Sequence, residues 1–163
     1  MILLHTASAI LAILSGLAIL MLRKGTTTHR RIGKVYVTSI VAMCFLSWFI
    51  REINDGAFSI FHLISIQTLL FVTAGLAFLR LRASTRHWYV WRLRFMLYSY
   101  VTLVVTGITQ AFEYLPFTSD LANAVVFIQV PAVLGWFLIE FRGVPEWRTQ
   151  IGTHPDISVK ASR

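Results

Sequence analysis

The sequence predicts an all-α integral membrane protein, in which an antiparallel four-helix transmembrane bundle is followed by a fifth transmembrane helix. Charged residues make up only 13% of the chain and apolar residues 56%, whereas about 25% of the residues in a soluble domain are charged. Mean hydropathy is +0.69. The apolar residues fall into five runs that can each cross a hydrocarbon core of ~30 Å as a helix.

The predicted helices form one domain over residues 1–142, with a polar tail at 143–163. The first apolar run is too long for the core of a signal peptide, and no Lys or Arg precedes it. Thr27 or Thr28 can cap the second helix, and Ser84 or Thr85 the fourth. Pro131 falls inside the fifth. We therefore predict helices at about residues 2–22, 28–50, 57–79, 85–113 and 121–141.

The basic residues predict the orientation in the membrane. Fourteen of the fifteen lie in residues 23–34, 80–94 and 142–163, and only Arg51 lies on the other side. The positive-inside rule then places the amino terminus outside and the carboxyl terminus in the cytoplasm, as expected for a bacterial inner-membrane protein. These short clusters between apolar runs favour a lipid bilayer as the partner and argue against nucleic acid.

Four histidines occupy matching depths on this predicted topology. His5 and His62 lie near the outer ends of the first and third helices, and His29 and His87 near the inner ends of the second and fourth. Helices one and three are diagonal partners in an up-down bundle, as are two and four. Because imidazole inside an apolar helix is costly, these residues indicate a functional site. We predict two ligand pairs for haem b or a metal ion.

Arginines and small residues near these histidines fit the same hypothesis. Arg30, Arg31 and Arg94 could hold haem propionates at the inner pair, and Arg51 an outer propionate or a nearby acid. Small residues share the His5 face of the first helix, and another follows His29. They leave room either for a flat macrocycle or for close helix packing. These small residues are Ala9, Ala12, Gly16 and Gly33.

The chain contains the stretches RKGTTTHRRIGKVYV and RHWYVWRLRFM and an early histidine, His5. In these features it resembles a family of small predicted bacterial membrane proteins. That family is described only as a domain of unknown function. Its pattern matches residues in the first four predicted helices, namely His5, His29, Arg30, Gly33, Tyr36, His62 and His87. The diagonal pairing also looks like that of di-haem b-type membrane cytochromes, which implies electron transfer.

Three functions remain open from the sequence, and catalysis stays undecided among them. The first is a b-type haem protein that exchanges electrons with a quinone or another membrane subunit. The second is a zinc-dependent membrane enzyme whose outer site combines His5 and His62 with Glu113 or Asp55. The third is a non-catalytic accessory or assembly subunit whose polar residues bond between helices. Candidates for those bonds are Gln67, Gln110, Asn123 and Gln129.

Overall fold

In the computed structural model, the described residues are 1–50, 60–81, 88–113 and 121–143. Five α-helices make up this part of the chain and no strand occurs in it, which confirms the all-helical class. The predicted helix ends near residues 57 and 85 lie outside the described residues. The helices are α1 (Ile2–Met21), α2 (Thr27–Ser47), α3 (Ile60–Arg80), α4 (Trp88–Glu113) and α5 (Leu121–Leu138), which a short π-helix (Ile139–Gly143) continues.

The turn between α1 and α2 is defined by two residues. Gly25 adopts a φ of +83°, a left-handed conformation that glycine reaches without a Cβ clash. The hydroxyl of Thr26 then accepts a hydrogen bond of 3.1 Å from the backbone N–H of His29 and caps α2. Because backbone groups at the end of α1 and at the start of α2 find hydrogen-bond partners within the five-residue turn, α2 can turn back directly against α1.

Helices α1 to α4 pack as an antiparallel ring, in which each helix contacts the next and α4 contacts α1. Within the described residues, α1 and α3 have no close backbone contact, and neither do α2 and α4. They are therefore diagonal pairs. The fifth helix packs against α4. The ring has an amino-terminal end, at which α1 and α3 begin, and a turn end, at which α2 and α4 begin.

The core lies where α1, α2 and α4 approach one another and reaches across to α3. Its buried members are Ala12, Tyr36, Ile40, Met43, Cys44, Val72 and Leu103. Outside this core, large apolar side chains are exposed on the ring and on α5, among them Leu14, Phe45, Leu70 and Phe137. Such a surface suits lipid rather than water. Two described helices, Ile2–Met21 and Phe61–Arg80, have the length and hydropathy of a membrane span.

Candidate functional site

His5 is held at the amino-terminal end by a hydrogen bond to α2. Its ring Nδ1 lies 3.0 Å from the backbone oxygen of Met43. A carbonyl oxygen only accepts, so Nδ1 carries the hydrogen and donates it. In the neutral imidazole, Nε2 is then the atom with a free lone pair. A backbone carbonyl fixes the ring of a metal-ligating histidine in the same way.

His62 lies at the same end of the ring, in the first turn of α3, and its side chain is buried, with 5% exposed. One turn further on, the hydroxyl of Ser65 lies 2.9 Å from that of Ser47 and joins α3 to α2. The hydrogen bond of His5 goes to α2 and not to α3. The structure therefore brings the two histidines to one end of the ring, on diagonal helices.

The small residues on the His5 face of α1 serve close packing at one position. A Cβ built on Gly16 would overlap the ring of Tyr100 on α4 and come within 3.0 Å of the Tyr36 ring. Ala12 is fully buried in the core. By contrast, nothing lies within 4 Å of a Cβ built on Gly33. The aromatic rings of α2 and α4 thus occupy the space beside Gly16, while the space beside Gly33 is open.

Three basic side chains lie at the turn end, namely Lys24 in the α1–α2 turn, His29 in the first turn of α2 and Arg92 near the start of α4. The Lys24 ammonium donates to the backbone oxygens of Ile19 at 2.6 Å and Leu20 at 3.4 Å, at the end of α1. Burial lowers the pKa of this ammonium to about 8. His29 Nδ1 and Arg92 Nε are buried and make no hydrogen bond.

The predicted arginines have different surroundings. Arg30 is exposed and donates to the backbone oxygen of Gly25 at 3.1 Å. Arg31 is exposed. Arg94 donates to Glu140 in the π-helix, with 2.6 Å between Nη2 and Oε2. The role in binding propionate stays a prediction for all three, but Arg94 already has an anionic partner in the protein.

Sequence reasoning missed Glu140, which also accepts a 2.7 Å hydrogen bond from the Tyr98 hydroxyl. The Arg94 guanidinium lies 5.3 Å from the centre of the Trp91 ring, which adds a cation–π contact. An acid inside an apolar run was the signal that could have found this cluster, because a carboxylate there needs a partner. The cluster joins α4 to the segment that follows α5.

Several predicted site residues lie outside the described part of the chain, including Arg51, Asp55 and His87, and so does the side chain of Glu113. Within the described residues, no group of three or more His, Cys, Asp or Glu side chains is arranged to hold a metal ion. The haem pairs, the zinc site and the function that each implies therefore stay predictions.

Comparison with known proteins gives one match. The model of a family described as "Predicted membrane protein (DUF2306)" matches residues 2–140, which is most of the chain and includes all five helices. No curated protein matches the chain, and neither does any solved structure. The resemblance to a membrane-protein family of unknown function is thereby confirmed, and nothing in the match bears on cytochromes.

Proposed function

The chain belongs to the DUF2306 family of predicted membrane proteins, and we propose that it is a transmembrane electron-transfer protein in which His5 and His62 hold one haem b. All five helices cross the bilayer in this proposal, as a four-helix bundle with a peripheral fifth span. Two observations support this proposal: the geometry of the described residues at the amino-terminal end, and the apolar exterior of the ring.

The five-span part of the proposal rests on exposure. Leu11 and Leu14 on α1, Phe45 on α2 and Phe137 on α5 are each about half exposed or more. Burying them against lipid removes a large apolar area from water, at about 25 cal/mol per Å². The antiparallel order of the ring brings Arg80, Arg92 and Arg94 to the same end as residues 23–34. That distribution favours a membrane-crossing ring.

The observation that carries the haem proposal is the hydrogen bond from His5 Nδ1 to the Met43 backbone oxygen. It selects the tautomer in which Nε2 is an electron-pair donor, and it fixes the ring against α2. His62 lies buried on the diagonal helix at the same end. Two imidazoles on diagonal helices match the donor set of a six-coordinate b-type haem.

A haem bound there would supply one-electron redox chemistry, and the remaining work belongs to the chain. His5 and His62 would hold the iron, the Met43 carbonyl orients His5, and the neighbouring apolar helices would exclude water. A membrane quinone or another membrane subunit is the proposed redox partner. The second predicted pair, His29 and His87, stays a prediction, because His87 lies outside the described residues.

An absorption spectrum of the purified protein, expressed with a haem precursor supplied, tests this proposal. We expect a reducible Soret band and a sharp α band typical of a low-spin b-type haem. His5→Ala and His62→Ala should each remove this component completely, since losing either ligand breaks the site. The double variant should lose no more than either single variant does.

The matched control is His29→Ala, which removes an imidazole from the other end of the ring and should leave the component intact. A colourless wild-type protein prepared with haem supplied would contradict the proposal. If that protein instead contained one zinc ion per chain, lost in His5→Ala, the metal-enzyme prediction would replace it. A colourless, metal-free protein would favour the accessory role.

A further inference from the structure

The outward face of α3 carries a polar side chain in apolar surroundings. Gln67 lies seven residues after the start of α3, about 10 Å along the helix axis, and inside the span Phe61–Arg80. It is exposed, as are Leu63 and Leu70, which lie one turn before and one turn after it. Among the described helices only α2 and α4 pack against α3. This face of α3 therefore points away from the ring.

The Gln67 carboxamide has hydrogen-bonding groups that the described residues do not satisfy. It can donate twice and accept twice, yet it bonds to no other described residue. The bond to another helix that the sequence suggested for Gln67 thus has no partner within the described part of the chain. The exposed hydroxyl of Thr38 on α2 differs, because it donates to the backbone oxygen of Lys34 at 3.0 Å and is satisfied within its own helix.

A second copy of the chain can satisfy this carboxamide. Lipid offers no hydrogen bonds, so a polar group on a neighbouring helix stabilises a carboxamide that faces it. Copies of one chain insert into a membrane in the same orientation, and a twofold axis along the membrane normal brings Gln67 of both copies to the same depth. Because a carboxamide both donates and accepts, two of them pair with each other. A different protein would need a polar group at that depth, whereas a second copy has one.

The residues around Gln67 repeat with the spacing of a helix–helix seam. They are separated alternately by four and three positions, which is the spacing of the a and d residues in a left-handed pair of helices. Two of them are alanines, which let helix backbones approach closely in a membrane. A single polar residue in such a seam sets the register of the pair. These residues are Leu63, Gln67, Leu70, Ala74 and Ala77.

We propose that the outer face of α3 is the interface of a homodimer, in which the two Gln67 carboxamides bond to each other across the twofold axis. Leu63 and Leu70 pack on their counterparts on either side of this bond. The proposal requires α3 to cross the bilayer, which its length and hydropathy support. It does not depend on the haem.

Energy transfer between copies of the full-length protein measures the dimer. Donor- and acceptor-labelled protein is mixed in lipid vesicles over a series of protein-to-lipid ratios, which gives a dissociation constant in the bilayer. Gln67→Leu should raise this constant about tenfold, as expected for a lost interhelical hydrogen bond. Gln67→Asn keeps a carboxamide and should fall between Gln67→Leu and the wild type. The matched control is Thr38→Val, which removes an exposed hydroxyl already bonded within α2 and should leave the constant unchanged.

Disulfide cross-linking in the same vesicles locates the interface independently. In a Cys44→Ala background, Leu63→Cys and Leu70→Cys should each form disulfide-linked dimers on mild oxidation. The matched control is Leu14→Cys on α1. Leu14 is 59% exposed, against 62% for Leu63 and 61% for Leu70, so it is equally accessible but lies on another helix. It should form no more dimer than random collision produces.

Three results would overturn the proposal. The first is a wild-type protein that stays monomeric at every protein-to-lipid ratio, which would leave Gln67 to water at the membrane surface or to a different subunit. The second is an unchanged dissociation constant in Gln67→Leu. The third is equal cross-linking of Leu14→Cys, which would show that the contact is not specific to α3. None of these depends on the colour of the protein, so the haem proposal is tested separately.

Discussion

At the residue scale, one glycine and two tyrosines determine how closely three helices approach. The Tyr36 and Tyr100 rings pack with their centroids 6.3 Å apart, and the backbone of Gly16 lies against both. The Ser99 hydroxyl donates to the Met96 backbone oxygen at 2.8 Å. The Tyr36 hydroxyl therefore donates to Ser99 across 2.9 Å. Tyr36 is thus a packing residue that joins α2 to α4.

We predict that Gly16→Ala lowers the free energy of unfolding by about 1–3 kcal/mol, because its methyl group overlaps the Tyr100 ring and forces the helices apart. The matched control is Gly33→Ala. It has open space around the new methyl group and should raise the free energy of unfolding by about 0.5–1 kcal/mol through better helix propensity. Denaturant titration in detergent, followed by tryptophan fluorescence, measures both. Equal effects would contradict the close approach at Gly16.

At the scale of elements, α5 is attached to the ring through α4 alone among the described helices. Gly135 lies against Val101, whose Cγ1 would be 2.6 Å from a Cβ at that glycine. The Arg94–Glu140 ion pair is half-buried, with 26% and 19% of the two side chains exposed. In surroundings of low dielectric constant, such a pair holds its partners more strongly than a surface pair does.

We predict that Glu140→Gln and Arg94→Gln each lower the free energy of unfolding by about 1–3 kcal/mol, because each leaves the other charge without its partner. The double variant should lose clearly less than the sum of the two, which a double-mutant cycle in detergent would measure. Arg80→Gln, at an exposed position on α3, should change stability by less than 0.5 kcal/mol or so. Strictly additive losses would show that the pair does not anchor α5.

At the scale of the whole molecule, the antiparallel ring groups basic residues at one of its two ends. Residues 23–34 lie at the turn end together with Arg80, Arg92 and Arg94, and Arg51 follows α2 in the sequence. The segment after α5 reaches the same end, where Glu140 pairs with Arg94, and four more basic residues follow Glu140 in the sequence. If all five helices span the membrane, the turn end faces the cytoplasm.

We predict that a cysteine in place of Ser119 reacts with a membrane-impermeant maleimide in intact cells, whereas one in place of Ser162 reacts only after permeabilisation. The sole native cysteine, Cys44, is fully buried, and Cys44→Ala gives a silent background. A cysteine in place of the exposed Arg23 is the internal control and should behave as at Ser162. The opposite labelling pattern, or equal labelling at all three sites, would contradict the predicted orientation.

The sequence alone was sufficient for the helical class, because the pattern of apolar runs and the lack of charge leave few alternatives. Sequence motifs around His5, His29 and His87 indicated the membrane-protein family, which is confirmed. Of the five predicted spans, the first and third correspond to described helices with the length and hydropathy of a span. The sequence also pointed to His5 and His62, since imidazoles in apolar helices stand out. In each case the signal is local, within one run of residues.

Only the tertiary structure shows which residues far apart in the chain come into contact. The neighbour of Gly16 is Tyr100, the partner of Arg94 is Glu140, and the acceptor of the His5 hydrogen bond is Met43. Apolar periodicity says which face of a helix is buried, but it does not say which helix covers that face. That choice is made by side-chain shape and charge across helix contacts, which come into existence only when the ring packs.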